Sequence, residues 1–503
     1  MTEALDVFAL HLPLAAPLAA AAVAALRGRA VAAWAGVAAA VGILAAAVWL
    51  ARTVHAGQQV GYGLLRADAL TAFMLIVIGA VAAIACWAGV HHLAAEAAAG
   101  AATAGTARRY LILVQLFLAA MSLAVLADNL GLLWVAVEAT TIVTAFLVGH
   151  RRSRASVEAA WKYVVLCSIG IAVAFLGTVC VYAAAVAAGG HGAAALDWTY
   201  LTGHAAGLDA DLIRLATGLV LVGFGTKAGL APMHAWLPDA HSQAPAPVSA
   251  LMSGVLLSVA FYAIWRYKAI TDSVIGPGYT RTLLLVAALA SIAAAALLLI
   301  SQRDYKRMLA YSSIEHMGLV ALGTATGSRL AITAVLVHVL GHGLSKAVAF
   351  CGAGQLLRLS GSSRIAAVRG LSARRPALAV VFGLALLALL GLPPFSLFAS
   401  ELGIARAGLA AGQGWAVAAT FALVLVAFAA IVRHSTGILL GPPDPATQEP
   451  ATQEPATAPT LAARPAAIVP LAVGLAAAAA LGISLGPLNE LLQTATDIIV
   501  QDR

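Results

Sequence analysis

The sequence predicts an all-α polytopic membrane protein with about 14 transmembrane helices. Hydrophobic residues make up 62% of the 503-residue chain and charged residues 10%, whereas an ordinary soluble domain carries about 25% charge. Mean hydropathy is +0.95. The apolar runs are long and unbroken rather than alternating with a period of two, which favours helices as the membrane-spanning elements.

Composition also argues against several kinds of function. The net charge is +8, but the basic residues fall in short loops between apolar runs, which indicates topology rather than a nucleic-acid surface. The four cysteines are scattered without a CxxC pair, which disfavours an iron–sulfur cluster, a zinc site or a disulfide framework. We therefore predict no cofactor and no bound metal. Glu3 and Asp6 stand where a signal peptide is basic, so the first apolar run is predicted to be a span.

The apolar runs define the individual spans. Their predicted cores are 8–26, 31–50, 68–90, 110–127, 130–148, 157–186, 212–231, 248–268, 281–300, 308–326, 330–357, 376–410, 413–440 and 465–487. With the N-terminus outside, the inner loops hold 17 Lys and Arg residues, Lys306 among them. The outer segments hold eight, namely Arg52, Arg66, Arg214, Arg266, Lys268, Arg281, Arg329 and Arg503. This asymmetry predicts a multi-pass protein of a bacterial-type inner membrane with both termini on the outer side.

Two similar segments indicate an internal repeat. GLAPMHAWLPD (229–239) and GLPPFSLFASE (391–401) share Gly-Leu-x-Pro, an aromatic residue seven positions after the glycine and an acid ten positions after it. They are about five spans apart, and an odd number of spans inverts a repeat. Residues 442–459 contain a tandem PATQE repeat, typical of a flexible loop. The predicted units are N-terminal peripheral helices (1–109), a first inverted repeat (110–270), a second (281–440), a flexible cytoplasmic loop (441–464), and the last span with a short tail (465–503).

The stretch Gly223–Gly254 interrupts the apolar pattern at the centre of the chain. Lys227 lies inside an apolar run, and a lysine in hydrocarbon costs about 2.5–3.5 kcal/mol unless it has a partner or reaches water. No continuous helix can cross from Pro232 to Pro247, and broken helix at membrane depth needs cover from protein or a watery cavity. Polar side chains accompany the break, namely His234, Asp239 and His241. We predict a polar route through the membrane here, with snorkelling of Lys227 from a helix end as the alternative.

Further charges lie in apolar runs. They are Glu138 in LLWVAVEATTIVTAFLVG, Glu315 and His316 in YSSIEHMGLV, and Glu401 just after the second Gly-Leu-x-Pro segment. His338, His342 and Lys346 recur every four residues, which places them on one helix face over about 12 Å. Imidazoles and buried carboxylates can take up and release protons, so these residues form a candidate relay. Two alternatives are metal binding by His338 and His342, for which no third ligand is evident, and histidines that only bond neighbouring helices.

Two segments carry a family resemblance. KAGLAPMHAWLPDAHSQAPAPVSALMSGVLL and QRDYKRMLAYSSIEHMGLVALG resemble the antiporter-like subunits of respiratory complex I (L, M and N), of Mrp sodium/proton antiporters and of group 4 nickel–iron hydrogenases. SSIEHMG and NLGLLWVAVEATT are most similar to the hydrogenase-4 component F branch. The resemblance covers about residues 65–440. It implies an inverted five-helix repeat with discontinuous seventh and twelfth helices.

The resemblance also implies roles for single residues. Glu138, Lys227 and Glu401 fall on the family's fifth-helix glutamate, seventh-helix lysine and twelfth-helix acid. His316 and His342 match central histidines of M-like subunits, Lys346 matches a lysine of L-like subunits, and Lys162 resembles the sixth-helix lysine. Glu138 and Lys227 are then a switchable ion pair. Ser258 departs from the pattern, since M-type subunits have lysine there, and a relay past it needs water or His234 and His241.

The expected function follows from the resemblance. The chain is expected to be a proton-translocating subunit of a multi-subunit redox complex, with other membrane subunits and a peripheral redox module as partners. It carries no flavin, haem, iron–sulfur or nickel motif, so the redox chemistry is expected in those partners. The alternatives are an Mrp-like subunit that exchanges a cation such as Na⁺ for protons, a proton-driven subunit of inorganic-carbon uptake, and a passive scaffold. The remaining partners are the lipid bilayer and the protons themselves.

Overall fold

The computed structural model describes residues 2–54, 58–100, 103–442 and 465–500. The first helices are α1 (Thr2–Leu26), α2 (Arg29–Thr53), α3 (Ala69–Ala98), α4 (Ala104–Leu126), α5 (Leu130–Val148), α6 (Arg154–Ala187), α7 (Trp198–Gly203), α8 (Ala210–Ala228), α9 (Trp236–Gln243) and α10 (Ala246–Leu251). The others are α11 (Leu257–Ile275), α12 (Pro277–Ile300), α13 (Tyr305–Thr326), α14 (Arg329–Ser360), α15 (Leu371–Arg374), α16 (Pro376–Leu389), α17 (Ser396–Ala410), α18 (Gly414–Leu440), α19 (Pro465–Ile483) and α20 (Leu488–Val500). A hairpin of β1 (Val60–Tyr62) and β2 (Leu65–Ala67) joins α2 to α3. The predicted loop 441–464 lies outside the described residues from 443 onward.

The protein is an all-α polytopic membrane protein. Eleven helices of the described residues are long and apolar enough to cross a membrane. A twelfth candidate is the bent pair Ile365–Arg374 and Pro376–Leu389, which meet at 118°. The 14 predicted spans also include α8 and α13, whose charged and polar residues lower their hydropathy, and 376–410, which is divided between α16 and α17.

Polar N-caps set many of the helix starts. The side chains of Asp68, Asn129, Ser153, Asp304 and Ser328 each accept a hydrogen bond from a backbone N–H of the first turn. Such caps satisfy donors that the helix leaves unpaired. They explain why the predicted core 130–148 coincides with α5, since Asn129 ends the preceding loop.

Small residues bring α6 and α8 close together. A Cβ on Gly223 of α8 would lie 2.5 Å from the backbone N of Ala174, and one on Gly170 of α6 would lie 2.6 Å from Cβ of Thr226. Membrane helices use such residues to pack closely in the absence of a hydrophobic driving force. The close packing fixes the last turn of α8, which carries Lys227.

The centre of the bundle is formed by α3, by α14 and by the continuous stretch from α10 to α11, whose apolar windows are largely or wholly buried. Met252–Leu256 is a π-helical segment between α10 and α11. Gly254 in this segment packs against the backbone of Gly343, because a Cβ there would lie 2.9 Å from the Gly343 carbonyl oxygen. A π segment interrupts the regular hydrogen-bond ladder and often marks a functional site.

The C-terminal tail forms a helix that the sequence did not indicate. The predicted last span, 465–487, ends as α19 at Ile483, and α20 follows. Leu491, Leu492, Ala495 and Ile499 of α20 are buried. This face packs on α3 and α14, and Thr496 of the same helix bonds Thr333.

Candidate functional site

The chain leaves the helical conformation immediately after Lys227. Gly229 has φ +80° and ends α8, and the N–H of Leu230 bonds the carbonyl of Gly225 at 2.8 Å. Only glycine adopts this left-handed conformation at little cost. The Trp236 indole N–H donates to the carbonyl of Thr226 at 2.9 Å, and the N–H of Ala231 donates to Ser291. Protein groups therefore cover the polar backbone of the break, as membrane burial requires.

The Lys227 ammonium is fully buried and is held by two hydroxyl groups. Nζ donates to Oγ1 of Thr141 at 2.6 Å and to the phenol oxygen of Tyr163 at 2.7 Å. Nζ also lies 4.9 Å from the centroid of the Tyr163 ring. Cation–π attraction and hydrogen bonds to the charged form offset part of the desolvation cost of the ammonium. Snorkelling is excluded, because the side chain points into the protein.

The direct Glu138–Lys227 ion pair implied by the resemblance is not formed. Thr141 stands between the two: its Oγ1 accepts from Lys227 and donates to Oε2 of Glu138 at 3.0 Å. The other carboxylate oxygen accepts from Ser168 at 2.9 Å. Thr141 follows Glu138 by three residues and so lies on the same helix face, a spacing that could have identified it. No comparable sequence signal marks Tyr163 or Ser168.

Lys162 lies apart from this group. Its Nζ contacts Oε1 of Glu158 at 2.8 Å and Oδ2 of Asp239 at 3.2 Å, and its side chain is 47% exposed. Asp239 also binds Arg307 at 2.9 Å. Asp239 thus joins α6, α9 and α13. Lys162 is not part of the buried hydrogen-bonded group that contains Lys227, Thr141 and Glu138.

The two histidines of the first break have different surroundings. His234 lies in the break and is half-buried. His241 in α9 is fully buried and stacks on Phe350 of α14, with centroids 5.1 Å apart. Both ring nitrogens of His241 lack a hydrogen-bond partner among the described residues. His241 lies within electrostatic range of Lys346 and Lys306.

Lys306 is a buried lysine that the charge pattern assigned to an inner loop. The structure places it in the first turn of α13 with no exposed surface. Its Nζ donates to the carbonyls of Ser242 and Ala244, at 2.8 Å each. These carbonyls end α9, where a cation is favourable. The charge count treated Lys306 as a loop residue because it precedes the predicted span 308–326, whereas helix α13 begins at Tyr305.

Three histidines form an imidazole cluster (His316, His338 and His342) between α13 and α14. All three are buried. Nδ1 of His316 and Nε2 of His338 are 3.2 Å apart, and the ring of His316 lies 5.0 Å from that of His342. Nδ1 of His338 bonds Oγ of Ser400 in α17 at 2.9 Å. The cluster therefore connects the histidines to the helix that follows the second break.

Glu401 faces the second break and the imidazole cluster. A Cβ on Gly391, which has φ +63°, would lie 2.5 Å from Oε2 of Glu401. One ligand atom each of Glu401, His316 and His338 lies within 4.8 Å of the others. This group includes His338 but not His342, so it differs from the pair that the sequence offered for metal binding. Both ring nitrogens of His338 have protein partners, so as arranged these side chains form a hydrogen-bonded network.

Lys346 and Glu315 continue the buried charges. Lys346 is fully buried; its Nζ donates to the carbonyl of Leu309 at 2.6 Å and makes a short hydrogen bond to Oγ of Ser312. Glu315, 6% exposed, lies within electrostatic range of Lys346, and Glu401 lies within range of Glu315. The helices between the two breaks therefore hold several buried side chains that can take up and release protons.

A separate charged network lies where α3 begins and α11 approaches its end. Arg266 binds Asp68 through two nitrogens at 2.7 and 2.8 Å, and Arg66 binds Asp68 at 2.5 Å and Asp128 at 2.6 Å. The guanidinium groups lie 4.7 and 4.8 Å from the ring of Trp198. Both arginines were predicted to lie in outer segments, whereas the structure buries them.

Comparison with known proteins decides the family. Residues 127–426 match the family described as NADH:quinone oxidoreductase/Mrp antiporter, transmembrane. The chain belongs to this family. A Hydrogenase-4 component F homolog of Methylacidiphilum infernorum (isolate V4) is 39% identical over 355 residues, which are 70% of this chain and 74% of the relative. The predicted resemblance to antiporter-like subunits is thereby confirmed.

Solved structures show the same fold. A chain of the Mrp complex from Dietzia sp. DQ12-45-1b is 25% identical with a TM-score of 0.82, covering 98% of this chain and 99% of that chain. A chain of the membrane-bound sulfane sulfur reductase, an archaeal respiratory membrane complex, has a TM-score of 0.82 at 24% identity, covering 99% and 98%. This chain is therefore an antiporter-like membrane subunit of the kind found in multi-subunit membrane complexes.

Proposed function

We propose that this chain translocates protons as a subunit of a multi-subunit membrane redox complex of hydrogenase or complex I type. The redox reaction belongs to a peripheral module on other chains, and neighbouring membrane subunits complete the complex. The name of the Methylacidiphilum relative supports the hydrogenase assignment, and the respiratory complex that holds a chain of the same fold is consistent with it.

The observation that carries the proposal is the buried Lys227–Thr141–Glu138 chain. A buried lysine is expensive, and a static, well-packed apolar pair would serve stability as well or better. A lysine joined to a carboxylate through a hydroxyl can instead exchange a proton with it when the geometry changes. We propose that Lys227 and Glu138 approach and separate as protons pass, with Thr141 as the bridge in the separated state.

The second half of the proposed relay runs from Lys346 to Glu401. His241 faces Lys346 from the first half, and the imidazole cluster leads from His342 to Ser400 and Glu401. The hydroxyls of Ser258 and Ser345 are buried without a partner in the described chain. Such groups are normally satisfied by ordered water, which supports water as the carrier where M-type subunits have lysine. His234 and Lys162 lie at the margin of this path.

The finer architecture is part of the proposal. The 14 spans comprise inverted repeats at 110–270 and 281–440, with α8–α9 and α16–α17 as discontinuous helices. The two breaks support this symmetry: Gly229 and Gly391 both have positive φ, and the N–H of the following leucine bonds a carbonyl five residues earlier in each. Both termini lie outside in a bacterial-type inner membrane, which reporter fusions after Arg109, Arg152 and Arg369 test by their cytoplasmic signal.

Substitution of the bridged pair tests the function. Lys227→Met and Glu138→Gln should each abolish proton uptake by proteoliposomes of the purified complex while the complex still assembles. Arg281→Met and Glu490→Gln, which remove exposed charges elsewhere, serve as matched controls and should leave uptake unchanged. Wild-type proton stoichiometry in Lys227→Met would show that Lys227 is no part of the path and would favour a passive scaffold.

A second candidate is an Mrp-like cation/proton antiporter subunit, which the fold and coverage of the Dietzia complex favour. Such a subunit exchanges Na⁺ for protons without a redox substrate, and a relative of this kind could energise inorganic-carbon uptake. The same proteoliposomes separate the two: proton uptake that requires the electron donor supports the redox complex, and uptake driven by a Na⁺ gradient alone supports the antiporter.

A further inference from the structure

We propose that His92, Glu96 and Arg358 form a second proton inlet, at the end of the bundle where α3 and α14 finish. Nε2 of His92 lies 3.2 Å from Oε1 of Glu96, one turn later in α3. Nη1 of Arg358, near the end of α14, lies 3.4 Å from Nδ1 of His92. The inference rests on the proposed function. It assigns a role to residues that belong neither to the Lys227–Thr141–Glu138 chain nor to the imidazole cluster.

Exposure falls inward along the three side chains. Arg358 is exposed, the Glu96 side chain is 18% exposed and the His92 side chain 7%. A partly exposed carboxylate beside a buried imidazole can take a proton from water and pass it inward. If the buried ring of His92 only filled space, it would need no carboxylate beside it.

Other charged and titratable groups surround this inlet. They are His91 on α3, Arg109 and Tyr110 on α4, and His150 and Arg151 after α5. The Tyr110 ring lies between two imidazoles, 6.4 Å from His92 and 5.5 Å from His150. Glu96 is thus a carboxylate that lies among several cations and imidazoles.

Two small cavities continue inward from His92. One, of about 10 Å³, is lined by His92, Arg358, Gln355 and Pro247. The other, also about 10 Å³, is lined by Pro247, Tyr110, Gln115 and Leu251 among others. Each volume suits about one water molecule. The Oε1 atoms of Gln355 and Gln115 are buried without a hydrogen-bond partner among the described residues, so each cavity offers an acceptor that a water would satisfy.

The inner cavity ends at the π segment. Leu251 lines it and is directly followed by Met252–Leu256. Ser253 of the π segment bonds Ser313 at 2.7 Å, and the neighbouring Ser312 bonds Lys346. The inner cavity thus ends two residues from the Ser253–Ser313 hydroxyl pair, which lies next to the Ser312 contact of Lys346. The proposed inlet runs toward the second half of the relay at Lys346 and does not pass Lys227.

The test is proton uptake by the purified complex in proteoliposomes, with the pH on the inlet side varied from 6 to 8. Glu96→Gln and His92→Gln should slow uptake about a hundredfold at pH 8, since a positioned group that takes up and passes on a proton speeds its transfer by about a hundredfold or more. The rate should recover at pH 6, where protons are abundant. Glu490→Gln and His204→Gln, both exposed, should match the wild type at each pH.

Each outcome of these measurements either supports or contradicts the inlet. Wild-type rates at pH 8, or equal slowing at pH 6 and pH 8 in a fully assembled complex, would overturn the inlet. The proposed function would still stand as long as the wild type takes up protons. Absence of wild-type uptake would overturn both. If Glu96→Gln does not assemble, Gln115→Leu provides the test, because it removes the acceptor of the inner cavity without touching the charged cluster. Slowing at pH 8 in this variant supports the inlet, and an unchanged rate contradicts it.

Discussion

At the scale of single residues, the site depends on hydroxyl groups that a search for charges does not find. Glu138 and Lys227 stand out in the sequence because a charge in an apolar run is costly. Thr141 does not, since a threonine hydroxyl can bond its own helix backbone at little cost. The sequence therefore predicted the two charged ends of the chain but not the hydroxyl that stands between them. The bridge is a tertiary feature that depends on how α5, α6 and α8 pack.

Thr141→Val should uncouple Lys227 from Glu138. The substitution keeps the shape of the side chain but removes the acceptor of Lys227 Nζ and the donor to Glu138 Oε2. Loss of a hydrogen bond to a charged group costs about 1.5–3 kcal/mol, equivalent to a roughly tenfold or greater fall in proton uptake if it falls on the transfer step. Proton uptake in proteoliposomes measures the effect.

Thr141→Ser is the matched control, because it keeps the hydroxyl and should retain most of the uptake. Combining Thr141→Val with Glu138→Gln should add nothing to the loss from Glu138→Gln alone, since both break the same chain. Normal uptake in Thr141→Val would remove Thr141 from the path.

At the scale of helices, the sequence located the breaks but not the elements around them. Gly-Leu-x-Pro predicts a stop wherever it occurs, because glycine and proline act locally. The π segment Met252–Leu256 has no such signal, since its residues are as apolar as the helix on either side. The helix α20 was missed for a different reason: it is too short and polar to be a span, and its buried face follows from packing on α3 and α14.

The last span supports the second break, which gives an element-scale prediction. A Cβ on Gly482 of α19 would overlap the carbonyl oxygen of Pro394 and lie 2.6 Å from C of Phe395. Gly482→Val should therefore push the α16–α17 turn away and destabilise the protein by about 1–3 kcal/mol, as overpacking does. Thermal unfolding of the purified complex measures the loss.

Gly437→Val is the matched control for this helix contact. Gly437 lies in α18, and a Cβ there would meet nothing within 4 Å. Its unfolding temperature should stay close to that of the wild type. An equal shift in both variants would attribute the effect to valine in a helix rather than to the second break.

At the scale of the whole molecule, composition and apolar patterning predicted the class, and the Gly-Leu-x-Pro and SSIEHMG segments predicted the family. They could not predict which charges meet. Arg266 was counted with the outer segments and Asp68 fell at the start of the predicted span 68–90, yet they bind each other across 198 residues. Positive-inside counting treats each charge alone, whereas burial here depends on partners brought together only by the complete bundle. Lys306 was misplaced for the same reason.

The Asp68–Arg266 contact also sets an order in which the chain can be completed during synthesis. At about 5–20 residues per second, Arg266 follows Asp68 out of the ribosome by roughly 10–40 s. Through that interval Asp68 can be hydrated or bound to Arg66 alone. We therefore expect the start of α3 to settle only after α11 brings Arg266 to it. Chains truncated just before Arg266 should leave the β1–β2 hairpin open to protease, and chains truncated after α11 should protect it; equal cleavage of both would show that the hairpin closes without Arg266.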